Sequence, residues 1–115
     1  MNSEIESWAR RLGEKLQAHA IMAATAESCT GGGVAYAITE ISGSSAWFDR
    51  GFVTYTNQAK QQMLGVPSEL ILAHGAVSAE VVASMAAGAL AHSSAQLSVA
   101  ISGIAGPLGG TPEKP

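Results

Sequence analysis

Residues 25–33 read TAESCTGGG, and three side chains in that stretch can do chemistry: the hydroxyls of Ser28 and Thr30 and the thiol of Cys29. All three stand directly ahead of Gly31, Gly32 and Gly33. A serine hydroxyl is a weak nucleophile until a base takes its proton. A glycine-rich turn that opens a helix offers unpaired amides to a phosphate or a developing oxyanion. The same turn also serves close helix–sheet packing, so the stretch alone fits a nucleophile seat, a phosphate cradle or a plain turn. It is not a P-loop, since no lysine follows the glycines. Nor is it G-x-S-x-G, since Ala26 and Thr30 hold the flanking positions. Cys29 ranks below Ser28, because a small buried cysteine is the commoner fate and no histidine is near in sequence. Glu27 either orients a polar group of the loop or holds the start of the next helix by its charge.

The base must come from elsewhere. His19, His74 and His92 lie near expected helix ends, where they read as capping or surface groups, and no Ser-His-Asp arrangement is visible. Lys60 lies in the first turn after a strand. Desolvation and a positive helix end would depress its pKa and make the neutral amine accessible. Tyr55, five residues earlier, could relay a proton or hold the hydroxyl. Spacing alone leaves open the bland alternative of a solvated lysine and a half-buried strand tyrosine. A third small, polar segment, Ser102–Gly110, also follows a strand.

These segments need a scaffold. Ser3 and Glu6 form a capping box, and Ile5, Trp8, Leu12 and Leu16 then recur at helical spacing, giving an amphipathic helix to about Ala18. Residues 21–27 read as a strand and 32–41 as a helix, with a break around Gly43. Residues 51–57, GFVTYTN, are β-branched and aromatic and read as a second strand. Asn57 is expected to cap a helix over 58–64 that stops at Gly65. Pro67 opens a further helix over 68–74. Ser78 caps a longer one whose apolar side is Val81, Val82, Met85, Ala89 and Leu90. Residues 96–103 read as a buried parallel strand. The last ten residues hold three Gly and three Pro, which is loop composition. Strands alternating with helices predict a three-layer α/β/α domain with a mainly parallel sheet, and the three loops above then gather at its carboxyl edge.

Composition narrows the function classes. The 115 residues, 47% hydrophobic, fit one domain over 1–115, with few aromatics and much Ala and Gly. A net charge of −3 and six scattered Lys and Arg argue against a nucleic-acid partner. A single cysteine rules out an internal disulfide. No signal peptide and no membrane-crossing run are legible, so the expectation is a soluble cytoplasmic protein.

Four motifs in order, TAESCTGGGVA, ISGSSAWFDRGFVTYTNQAK, HGAVS and SGIAGPLGGTPEKP, closely resemble the CinA C-terminal domain family from about residue 3 to the last residue. The resemblance is to the family's stand-alone nicotinamide-nucleotide amidases. It implies hydrolysis of the carboxamide of nicotinamide mononucleotide to nicotinate mononucleotide and ammonia, a step of pyridine nucleotide recycling, with no metal or cofactor. It maps the nucleophile onto Ser28 and its activating partners onto Tyr55 and Lys60. It also implies that the 102–107 loop, with Ser102, Gly103, Ala105 and Gly106, lines the substrate site. The Thr30, Gly31 and Gly32 amides would stabilise the oxyanion or hold the phosphate. Two departures stand out. Leu108 replaces an Asp common in the family, and the family domain continues past EKP with further strands, a final helix and a site arginine. A sheet short of those neighbours is expected to expose an edge or face. The alternatives are therefore an inactive nucleotide-binding or interaction module of the same family, or a homo-oligomer.

Overall fold

The computed structural model describes residues 2–104. In chain order the elements are α1 (Ser3–Ala18), β1 (Ala23–Glu27), α2 (Gly33–Thr39), a 3₁₀ turn (Ser44–Ala46), β2 (Phe48–Val53), α3 (Asn57–Leu64), α4 (Ser68–His74), α5 (Ala79–Ala91) and β3 (Leu97–Ile101). The three strands form one sheet in the order β2-β1-β3, parallel throughout. With α1 and α2 on one face and α5 on the other, the described residues form an α/β/α sandwich.

β1 explains how the layers come together. Its sequence, AATAE, is small-residued and wholly buried, as a central strand covered on both faces must be. Ala24 and Ala26 point to one side, into a core with Leu64, Val66, Ile71, Val81, Met85 and Ala89 of the α3–α5 layer. Ala23 points to the other, into a core with Ala9, Leu16, Ile38, Ile41 and Trp47. Close approach continues within the α3–α5 layer. Gly88 of α5 sits so near α3 that a Cβ there would fall 2.0 Å from the Leu64 carbonyl oxygen. That contact presses α3, which carries Lys60, against the body of the domain.

Several local expectations need correction. Asn2, not Ser3, caps α1, its side-chain oxygen accepting from the amides of Glu4 and Ile5, so the Ser3–Glu6 capping box does not form. The buried stripe of α1 is Ala9, Gly13 and Leu16, while Ile5 and Trp8 stay exposed, with the Arg11 guanidinium 4.6 Å from the Trp8 ring centre. β2 begins earlier, at Phe48, and Thr56 rather than Asn57 caps α3 through its hydroxyl to the Ala59 amide. Gly88 replaces Leu90 on the buried side of α5. β3 is not buried as its composition suggested. Among the described residues it pairs with β1 alone, and its Leu97 and Val99, on the α1/α2 face, remain exposed. No described helix is long and apolar enough to cross a membrane.

Candidate active site

Register brings the three strand ends level. Glu27, the last residue of β1, pairs with Val53 of β2 and Ile101 of β3. The next residue of each strand therefore emerges at one place, and the backbone ties them together. The Thr54 amide donates to the Glu27 carbonyl at 2.8 Å, and the Ser28 amide donates to the Ile101 carbonyl at 3.0 Å. This is the carboxyl edge of a parallel sheet, where α/β proteins place their ligands. A cleft of about 300 Å³ opens there, walled by Ser28, Cys29, Tyr55, Asn57, Lys60 and Ser102, among others. A larger cavity of about 560 Å³ lies between α1 and α2, but its walls are mostly apolar (Ile5, Trp8, Leu12, Val34), so size does not mark the chemistry.

Lys60 is the unusual group. It is 1% exposed, with its amine 3.2 Å from the Ser28 Oγ, 3.0 Å from the Thr54 carbonyl and 3.5 Å from the Tyr55 carbonyl. Among the described residues no carboxylate forms an ion pair with it. Burial pushes its pKa below the ordinary 10.5, against a smaller upward pull from Cys29. The three acceptors around the amine match an ammonium with three N–H donors, and they equally match a neutral amine that meets the two carbonyls and turns its lone pair to the serine proton. The surface-lysine alternative is thereby removed.

Tyr55 enters the site differently from its expected part. Its backbone carbonyl meets Lys60, while its side chain is 64% exposed at the cleft mouth and its phenol makes no hydrogen bond among the described residues. Ser102 turns its hydroxyl to the Ala76 carbonyl at 3.1 Å, pinning the end of β3 to the α4–α5 connection. Gly103 lines the cleft, and Ala105 and Gly106 lie outside the described residues.

The glycine turn is built for shape. Gly31 and Gly32 adopt positive φ, 59° and 99°, which residues with a Cβ rarely take. Of the three amides expected to face a ligand, that of Gly31 donates to the Ser28 carbonyl at 3.0 Å, and that of Gly32 helps to hold the Glu27 charge. The Thr30 amide stays available and the Cys29 amide joins it; neither donates to a described residue. Glu27 settles in its capping role. It is 1% exposed, accepting from the Thr30 hydroxyl at 2.6 Å and the Val34 and Ala35 amides at 2.9 and 3.0 Å. Burial would raise its pKa, but those hydrogen bonds, with the one from Gly32, together hold it below the ordinary carboxylate value. Asn57, expected as a helix cap, lines the cleft instead, and the Thr54 carbonyl that meets Lys60 has no side-chain signature in the sequence.

Known proteins resemble this chain in sequence and fold. The chain is 56% identical over 114 residues to the nicotinamide-nucleotide amidohydrolase PncC of Escherichia coli K12, covering 99% of this chain and 69% of that protein. It is 54% identical over 110 residues to a CinA-like protein of Colwellia psychrerythraea, spanning only 26% of that longer protein. The crystal structure of the competence/damage inducible protein CihA from Agrobacterium tumefaciens superposes with a TM-score of 0.91 at 56% identity, over 96% of this chain and 67% of that one. The chain thus spans about two thirds of the length of its shorter relatives. The CinA C-terminal domain model matches residues 5–115, and the chain belongs to that family.

Proposed function

We propose that the protein is a serine amidase that hydrolyses the carboxamide of nicotinamide mononucleotide to nicotinate mononucleotide and ammonia. The substrate comes from the names of the relatives. The chemistry rests on one observation above all: a buried lysine amine without a carboxylate partner among the described residues, 3.2 Å from a serine hydroxyl in an open cleft.

Lys60, neutral, takes the Ser28 proton as Oγ attacks the carboxamide carbon. The carbonyl oxygen becomes an oxyanion, which the amide of Cys29, in the cleft wall, would receive together with the adjacent Thr30 amide. The amide after a nucleophile commonly plays that part in hydrolases built on parallel sheets. As the tetrahedral species collapses, the C–N bond breaks and the Lys60 ammonium gives its proton to the departing ammonia. Water then enters, deprotonated by the regenerated amine, and cleaves the acyl-serine ester to release the carboxylate. Tyr55 contributes its carbonyl to the lysine cradle and its ring to the cleft mouth. Ser102 and Gly103 form the opposite wall.

The test is ammonia release from nicotinamide mononucleotide by this chain, with Ser28→Ala as control. Turnover should fall by at least about a thousandfold in Ser28→Ala. Turnover equal to wild type in that variant removes Ser28 as nucleophile. A second reading, a binding or self-associating module of the same family, draws on the exposed Leu97 and Val99 of β3. Mononucleotide binding without ammonia release, or concentration-dependent light scattering, would favour it.

A further inference from the structure

We propose that Glu27 is a positioning residue for the nucleophile: its buried carboxylate locks the turn from Ser28 to Gly33 so that the Cys29 and Thr30 amides stay free beside the Ser28 hydroxyl. The inference rests on the amidase reading above.

Three observations carry it. First, the N-cap of α2 is Gly32, which has no side chain to satisfy the helix amides. The cap comes instead from the strand, from the residue directly before the serine: Oε1 takes the Thr30 hydroxyl and the Val34 amide, and Oε2 takes the Ala35 amide. The start of the helix and the nucleophile are thus referenced to one residue. Second, the fixed turn leaves two consecutive amides over. The Gly31 amide donates to the Ser28 carbonyl and that of Gly33 to the Thr30 carbonyl, while those of Cys29 and Thr30 donate to no described residue. Third, the Glu27 backbone closes a ring through the site. Its carbonyl accepts from the Thr54 amide, the Thr54 carbonyl accepts from Lys60, and Lys60 reaches Ser28, which is bonded to Glu27 in the chain. No cation among the described residues pairs with Glu27, so its charge is held by hydrogen bonds alone.

Glutamine in its place would carry one donor too many. If its amide nitrogen takes the Oε2 position it opposes the Ala35 N–H, and in the Oε1 position it opposes the Val34 N–H. Either way the turn shifts, and donors to an oxyanion tolerate little displacement.

The experiment compares wild type, Glu27→Gln and Thr30→Val by two readouts: steady-state ammonia release from nicotinamide mononucleotide, and the rate at which phenylmethylsulfonyl fluoride modifies Ser28, followed by mass spectrometry. Circular dichroism at the assay temperature establishes that each variant is folded. Glu27→Gln should lose tenfold or more in kcat and in labelling rate with KM within about threefold. Thr30→Val, which deletes one of the three bonds, should show the same pattern to a smaller degree. A folded Glu27→Gln with a lowered melting temperature but wild-type kcat and labelling rate overturns the proposal, since that is what a purely structural cap would show. If Glu27→Gln does not fold, Thr30→Val decides: unchanged kcat and labelling rate overturn the proposal, and a several-fold loss in both supports it. A wild type that releases no ammonia removes the amidase reading alone, and the labelling rates still decide the part played by Glu27.

Discussion

Replacing Lys60 by methionine should change how stability depends on pH. Methionine matches the lysine stem in length and carries no titratable group. In the wild type, burial holds the folded-state pKa of Lys60 below the 10.5 of an ordinary lysine. Below that folded pKa both the folded and unfolded chains carry the proton, and the full burial penalty of the ammonium acts against folding. As pH rises through the folded pKa, the folded protein sheds the proton while the unfolded chain keeps it until about 10.5. Stability therefore climbs across that window, at most by about 1.4 kcal/mol per pH unit for one proton. Methionine has no such climb, although it leaves the buried Thr54 carbonyl without its Lys60 donor, a loss of about 1–3 kcal/mol at every pH. Taking the difference between the two proteins isolates the pH-dependent part that belongs to Lys60. The assay is urea unfolding of the two proteins at half-unit steps from pH 6 to 10, plotted as the wild-type minus Lys60→Met difference. The difference should rise with pH. The wild-type kcat/KM should rise over the same interval, since the same proton must leave before Lys60 can act as a base. A difference that stays constant from pH 6 to 10 would mean an ordinary charged lysine and would refute the neutral-base mechanism.

Two further substitutions probe the surrounding structure. Tyr55→Phe should keep kcat within about tenfold of wild type, because the tyrosine holds Lys60 through its carbonyl while its phenol is exposed; a hundredfold loss would restore the phenol as a proton relay. Thr25→Val should raise stability by about 1 kcal/mol in urea unfolding. The Thr25 hydroxyl is buried in mid-strand with no partner among the described residues, and valine keeps its shape without the unmet polar group. A destabilised Thr25→Val would point to a water held by that hydroxyl.

Burying a lone lysine is tolerable only where the gain is functional, and the surroundings of Lys60 bear on why its role was hard to read. Spacing placed it in the first turn after a strand, but spacing could not tell a solvated amine from a desolvated one. That distinction came from helix packing. Gly88 lets α5 close on α3, and the resulting burial leaves the amine with two carbonyls and one hydroxyl. The turn amides raise the same difficulty. The glycines announced a tight turn, but which N–H groups remain free depends on a carboxylate reaching over from β1.

The amino-acid sequence by itself determined the order of strands and helices, the α/β class, the stops at Gly65 and the cap at Ser78, and through its four motifs the family. These depend on local pattern: β-branched runs, helical spacing, capping hydroxyls and glycines that accept positive φ. It also held Ser28, Tyr55 and Lys60 together as candidates. Tertiary structure decided the rest. Among the described residues it made β1 the central strand and left Leu97 and Val99 of β3 exposed, because burial depends on which neighbours a strand finds and not on its own composition. It set Lys60 against Ser28 across 32 residues of sequence, sent the Tyr55 phenol outward while its carbonyl turned in, and brought the Glu27 carboxylate to the Val34 and Ala35 amides at the start of α2. Those outcomes are set by distances between groups far apart in the chain, and they exist only once the sheet has aligned its three strand ends.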